Sequence, residues 1–256
     1  VSDWSSDVCS SDLDSMENSD KPVGMSIAFC HRLSNNSGRF SQGGLSMENI
    51  EAVAPGGRNP DQTRQRILTA AFMEMYRNGF QGMRLDEVIA ATRLTKGALY
   101  HHFPNKRALG YAVVDELIIP TVEAVWLQPL KNSADPLTGL VNVIEQMPEN
   151  EHKPPEMIRY GCPLNNLAQE MSPLDEGFRQ RLDYAFRVWH DVIQETLERA
   201  QQKGHIRGDV NCDETATFIM AALEGCIGIA KNAQSMERLH VCNRGLIQFI
   251  RSLQSQ

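Results

Sequence analysis

The stretch from Leu85 to Lys106, LDEVIAATRLTKGALYHHFPNK, constrains the fold more than any other. Leu85, Val88 and Ile89 have the spacing of one helical face. Arg93 and Leu94 leave room only for a tight connection, and Thr95 stands where a hydroxyl can cap a second short helix ending at Phe103. Two helices joined so closely form a helix-turn-helix, a unit whose second helix enters the major groove of DNA with its first residues at base edges. The expected partner is double-stranded DNA.

The overall charge of −7 looks unfavourable for such a partner, but the charge is segregated. Between Arg58 and Arg107 there are nine basic and four acidic residues, a surplus of five that leaves −12 on the rest of the chain. A basic module on an acidic body concentrates positive potential where phosphates are met. No apolar run reaches the roughly 18 residues of a membrane span, so no membrane role and a cytoplasmic location are expected. The six cysteines include no CxxC pair, which points to reduced thiols rather than a disulfide framework or a zinc finger.

Ile67, Ala71 and Phe72, then Gly79-Phe80, Val88-Ile89 and TRLTKGALYHHFPNKRAL at 92–109, resemble the TetR family of repressors. The likeness covers residues 60–110, about a fifth of the chain. It implies an all-α fold, with an N-terminal three-helix helix-turn-helix domain and a C-terminal helical bundle that binds an effector and dimerises. It also implies a homodimer on a DNA operator, released by a small-molecule or electrophile effector, with no enzymatic activity, cofactor or metal.

The residues expected at DNA are Arg84, Thr95, Lys96, Gly97, Ala98, Tyr100, His101 and Lys106. Thr95 satisfies an orphan amide, and Gly97 lets the first turn approach closely. Lys96 supplies a cation at that end, with Tyr100 and His101 one turn further along the exposed face. Leu99 and Phe103 point inward at i, i+4. Lys106, opening the next helix, is placed to reach a backbone phosphate. Two residues depart from the family pattern. Arg84 stands where a hydroxyl usually caps the second helix and is expected to reach a phosphate instead. Arg93 stands where glycine is common, so a left-handed conformation there costs about 1 kcal/mol or more.

Along the chain, residues 1–57 read as a disordered or artefactual leader. VSDWSSDVCSSDL at 1–13 resembles a translated sequencing adapter, and Met47 is a candidate start. A DNA-touching arm is the alternative. Residues 58–106 form the DNA-binding unit and 107–256 the effector-binding and dimerisation unit. The first helix is capped by Asp61 or Thr63 and ends at Gly79, and the helix from Arg107 is expected to kink or end at Pro120. Asp135-Pro136, Ser172-Pro173, Asn211 and Ser235 open further helices around a polar loop at 148–155. The small residues Ala221, Ala222, Gly225, Gly228 and Ala230 suit close approach by a partner helix.

A second unusual passage, Gly161 to Glu170, resembles a Gly-Cys-x-x-x-Asn-Leu-x-x-Glu pattern of one branch of the family. Cys162 precedes a helix whose dipole can lower a thiol pKa, so it is a candidate electrophile or oxidant sensor, with a structural core cysteine as the alternative. Trp126, Met147, Met157, Tyr160, Cys162, Phe178 and Trp189 are the candidate effector pocket, Tyr184 also being considered for its wall. A constitutive DNA-binding protein without effector is the competing function. An enzyme has little support, since no Gly-rich phosphate loop, HExxH or GxSxG occurs. A metal sensor would have to use Cys162, His205 and Cys212.

Overall fold

The computed structural model describes residues 60–146 and 156–255. The expectations placed on the leader, Arg58, Met147 and the loop at 148–155 lie outside those residues. α1 (Pro60–Gly82) buries Ile67, Leu68, Ala71, Phe72 and Met75 on one face. The helix breaks at Gly79, whose φ of 74° suits a residue without a side chain. α2 (Leu85–Thr92) packs against it and buries Val88, and α3 (Lys96–His102) packs on α2 and adds Leu99 to the same core. The turn between them is held at Arg93, which takes the left-handed conformation (φ 53°, ψ 30°) although it is not glycine. Its amide and that of Leu94 donate to the Ala90 and Ile89 carbonyls, closing α2.

The next helical run, α4, spans 106–131 and corrects one of the two outcomes expected at Pro120: it does not end there. Regular α-helical segments alternate with two π-helical ones, Val114–Ile118 and Glu123–Leu127. Each wide turn lies just before a proline, Pro120 or Pro129. A proline offers no N–H and its ring crowds the carbonyl four residues back, and the i→i+5 register makes room for both defects. The Thr121 hydroxyl donates to the Leu117 carbonyl at 2.6 Å within this stretch.

α5 (Pro136–Gln146) starts as expected, the Leu137 amide donating to Asp135 Oδ1 at 3.1 Å. The short α6 (Glu156–Tyr160) leads through Gly161 to α7 (Pro163–Met171). α8 (Glu176–Gln202) is the spine of the body and buries Phe178, Leu182, Trp189, Ile193 and Leu197. Its cap is Asp175, not Ser172. Ser172 keeps helical backbone and donates its amide to Ala168, closing α7, whereas the Asp175 carboxylate accepts the Phe178 amide at 3.0 Å.

α9 (Cys212–Ala233) and α10 (Met236–Ser252) are capped by Asn211 and Ser235, as the sequence led us to expect. They pack on each other and carry the second correction. Cys226 and Cys242 form a disulfide between them, with Cα atoms 5.5 Å apart. Antiparallel pairing brings together two cysteines sixteen positions apart, which no CxxC search would notice. Phe218, Ile229 and Val241 remain exposed on these two helices, and Gly225 and Gly228 face open space. No helix among the described residues is long and apolar enough to cross a membrane.

Candidate nucleic-acid interface and the cleft behind it

α3 is only two turns long, so its presentation depends on how it is held. The Thr95 hydroxyl accepts the Ala98 amide at 3.2 Å, the N-cap expected from the sequence. Leu99 and Phe103 are almost fully buried. Turning those two inward leaves Lys96, Gly97, Tyr100 and His101 on the exposed side, with Ala98 and His102 half-buried. Tyr100 is 41% exposed. Nothing but the Thr95 hydroxyl lies within 4 Å of where a side chain at Gly97 would begin. The first turn can therefore approach another surface closely.

Flanking cations frame this face. Arg84 caps nothing with its side chain. It is exposed, with Nη1 3.5 Å from Glu87 Oε1. Lys106 is more constrained than its sequence position suggested, donating to the Gln81 carbonyl at 2.9 Å and lying 5.3 Å from the centre of the Phe80 ring. Arg66 donates to the Thr92 carbonyl at the end of α2. Arg64 pairs with Glu116 of α4 and lies 4.9 Å from the Phe103 ring centre. These contacts fix α3 relative to α1 and α4.

Behind that face, α1 meets the body through residues the sequence did not single out for the purpose. Both oxygens of the Glu170 carboxylate are used at the Gly79 break, accepting the Phe80 and Gln81 amides at 2.8 Å each. A side chain at Gly79 would begin 2.7 Å from one of those oxygens, a second reason for glycine there. The Tyr76 hydroxyl donates to the Gly161 carbonyl at 2.5 Å, and burial holds that phenol far above its ordinary pKa. Arg77 stands 3.6 Å from Glu156, and Asn166 donates to the Tyr160 carbonyl while accepting from Lys231 Nζ at 3.3 Å. The Gly161 to Glu170 passage is thus a strap between the two units. Glu170 was visible as the last member of its pattern, but its targets, ninety positions away, were not.

Between α1, α4 and this strap lies a cleft of about 320 Å³. Of the expected pocket residues that the structure describes, only Tyr160 lines it. Trp126 and Trp189 are buried with ring centres 5.0 Å apart, and the Trp189 indole N–H has no acceptor among the described residues. Phe178 packs edge-on against Phe80 and Tyr111, Tyr184 is exposed, and Met157 joins the small cluster around the disulfide. The structure does not bring these side chains to a common space.

Cys162 is the N-cap residue of α7, yet its thiol is pushed up rather than down. Desolvation dominates and the neighbouring Glu224 carboxylate adds to it, outweighing the amides of Asn165 and Leu164. Glu224 is itself raised by burial, the donors at Cys162 and Asn165 offsetting only part of that, and neither of its oxygens has a well-formed hydrogen bond. The residues weighed for a metal site do not meet. His205 pairs with Asp135 at 3.1 Å and Cys212 lies against Gln201, while Cys162 sits beside Glu224.

Residues 67–113 match the family described as bacterial regulatory proteins, tetR family, and residues 136–246 match the tetracyclin repressor-like C-terminal domain. An uncharacterized HTH-type transcriptional regulator from the lacX 3' region of Lactococcus lactis is 30% identical over 54% of this chain and 70% of its own length. The HTH-type transcriptional repressor AcnR of Corynebacterium diphtheriae is 31% identical over 64% of this chain and 78% of its own. Among solved structures, the regulatory protein TetR from Rhodobacter sphaeroides superposes with a TM-score of 0.65 at 26% identity, over 73% of this chain and 97% of that one.

Proposed function

The chain belongs to the TetR family of transcriptional regulators, and on that premise we propose that it is a repressor that binds its operator as a homodimer and leaves it when a small-molecule effector binds. The observation that carries this reading is the exposed face of α3, where Lys96, Tyr100 and His101 stand outward while Leu99 and Phe103 fix the helix from behind. Arg84 and Lys106 act as backbone clamps on either side, and residues 58–106 work as the DNA-binding unit on the body at 107–256. Homodimerisation is supported by the exposed Phe218, Ile229 and Val241 and by the open glycines of α9, apolar surface that a second copy covers. Two half-sites one turn of DNA apart follow from that symmetry. The work is placed in the cytoplasm, where the DNA is.

Of the two effector classes, the cleft favours a small molecule. The raised Cys162 thiol disfavours attack on electrophiles at neutral pH, because the thiolate is the nucleophile. A gel-shift titration of the full chain against DNA flanking its own gene, with scrambled competitor, tests the reading. Sequence-selective binding by a dimer, weakened by Lys96→Ala, is expected. Binding that is equal on scrambled DNA would remove the repressor, and selective binding that no metabolite pool relieves would favour the constitutive alternative.

A further inference from the structure

The cleft differs from an ordinary packing defect in its charge and in its walls. One wall belongs to α1, through Phe72, Met75 and Tyr76, and the other to the strap and body, through Tyr160 and Leu167. Its charged lining is unbalanced. The single lining carboxylate, Glu170, already receives two backbone amides, and Arg77 stands within reach of Glu156. Arg159 and Lys231 have no ion pair among the described residues. Arg159 lies 5.2 Å from the Tyr160 ring centre, and Lys231 donates to the neutral oxygen of Asn166. Two cations thus face a space whose other lining combines aromatic and aliphatic side chains with the neutral amides of Asn166 and Gln169.

We propose that this cleft is a binding site for a small organic anion, an aromatic or short acyl carboxylate, whose occupancy is read by the helix-turn-helix unit. Arg159 and Lys231 hold the carboxylate through charge-assisted hydrogen bonds, and the tyrosine and leucine surfaces take the apolar part. The volume of about 320 Å³ lies at the small end for ligand sites, which suits a small ligand. Occupancy touches both units at once. It lies beside the Tyr76 to Gly161 bond and the Glu170 clamp on Phe80 and Gln81, the contacts that set where α1 sits on the body. A ligand preferring one arrangement of those contacts shifts the population of DNA-competent dimers.

The proposal rests on the ligand-responsive reading above, and the experiment separates the two. Calorimetric titration of the full-length protein with benzoate, phenylacetate and hexanoate is compared with benzamide, the uncharged counterpart of benzoate. At least one carboxylate is expected to bind, with benzamide about ten-fold weaker or more. Arg159→Gln and Lys231→Gln each weaken the carboxylate by about ten-fold, and Lys231→Arg retains most of it. Failure of all three carboxylates to bind, or undiminished binding in both glutamine variants, overturns the anion site. If neutral compounds release the operator equally from wild type and variants, ligand response stands and the anion site falls. If a carboxylate binds through Arg159 and Lys231 but leaves operator affinity unchanged, the site stands and its role in release falls.

Discussion

The recognition helix and the junction behind it are built in opposite ways. α3 is held by its own neighbourhood: Thr95 caps it three residues before the amide it satisfies, and Leu99 and Phe103 anchor it one turn apart. The junction is held by bonds that span the chain, from Tyr76 to Gly161 and from Glu170 to Phe80 and Gln81. Local chemistry fixes what is presented to DNA. Distant chemistry fixes where it is presented, which is the quantity an effector has to change.

Glu170→Ala should show the largest effect, because it orphans two amides at once. A loss of about 2 kcal/mol in urea unfolding is expected, and a change below about 0.5 kcal/mol would mean the junction is held elsewhere. Next comes Tyr100→Ala, which should leave stability almost untouched and weaken operator binding about ten-fold or more in a gel shift. An equal loss of folding would erase the distinction between the two regions. Thr95→Ala removes one cap and should cost about 1 kcal/mol, with Thr95→Ser close to wild type.

A pH profile comes next. The Tyr111 hydroxyl, ahead of the Phe178 and Gly177 amides, holds the Asp175 carboxyl below its ordinary value. A depressed carboxyl stabilises the fold above its unfolded pKa, and that stability is lost as pH falls through the folded value. Asp175→Asn should therefore flatten the acid limb of stability below about pH 4, and an unchanged limb would place the acid sensitivity elsewhere. Arg93→Gly should have the smallest effect, a gain of about 0.5–1 kcal/mol from relieving the left-handed turn, read as a raised Tm with operator binding unchanged.

The same contrast decides how much of this molecule is legible in its sequence. The helix-turn-helix could be read because its signals lie within a few residues of one another: the hydroxyl at Thr95, the small residue at Gly97, the inward pair Leu99 and Phe103. The caps at Asn211 and Ser235 were equally local. Ser172 was misjudged against Asp175 because two cap-like residues three positions apart differ only in which amide they reach. The run through Pro120 escaped because proline's rule assumes α-helical register, and the chain changed register instead. The cleft could not be read at all. Its residues come from four separate segments, and Arg159 and Lys231 gain significance only from having no carboxylate paired with them among the described residues.

The two wide turns of α4 also bear on how such a chain can tolerate length changes. A π turn contains one residue more than the α turn it replaces, so each behaves as a single-residue insertion absorbed within the helix. Deleting one residue beside Pro120 or Pro129 would not simply shorten the rod. It would remove the wide turn itself, keeping the downstream side chains in register with the upstream ones but taking away the room that the wide turn gives the proline ring. A relative with one residue fewer here must have lost its proline and its wide turn together, so gaps in this helix should be found in step with prolines.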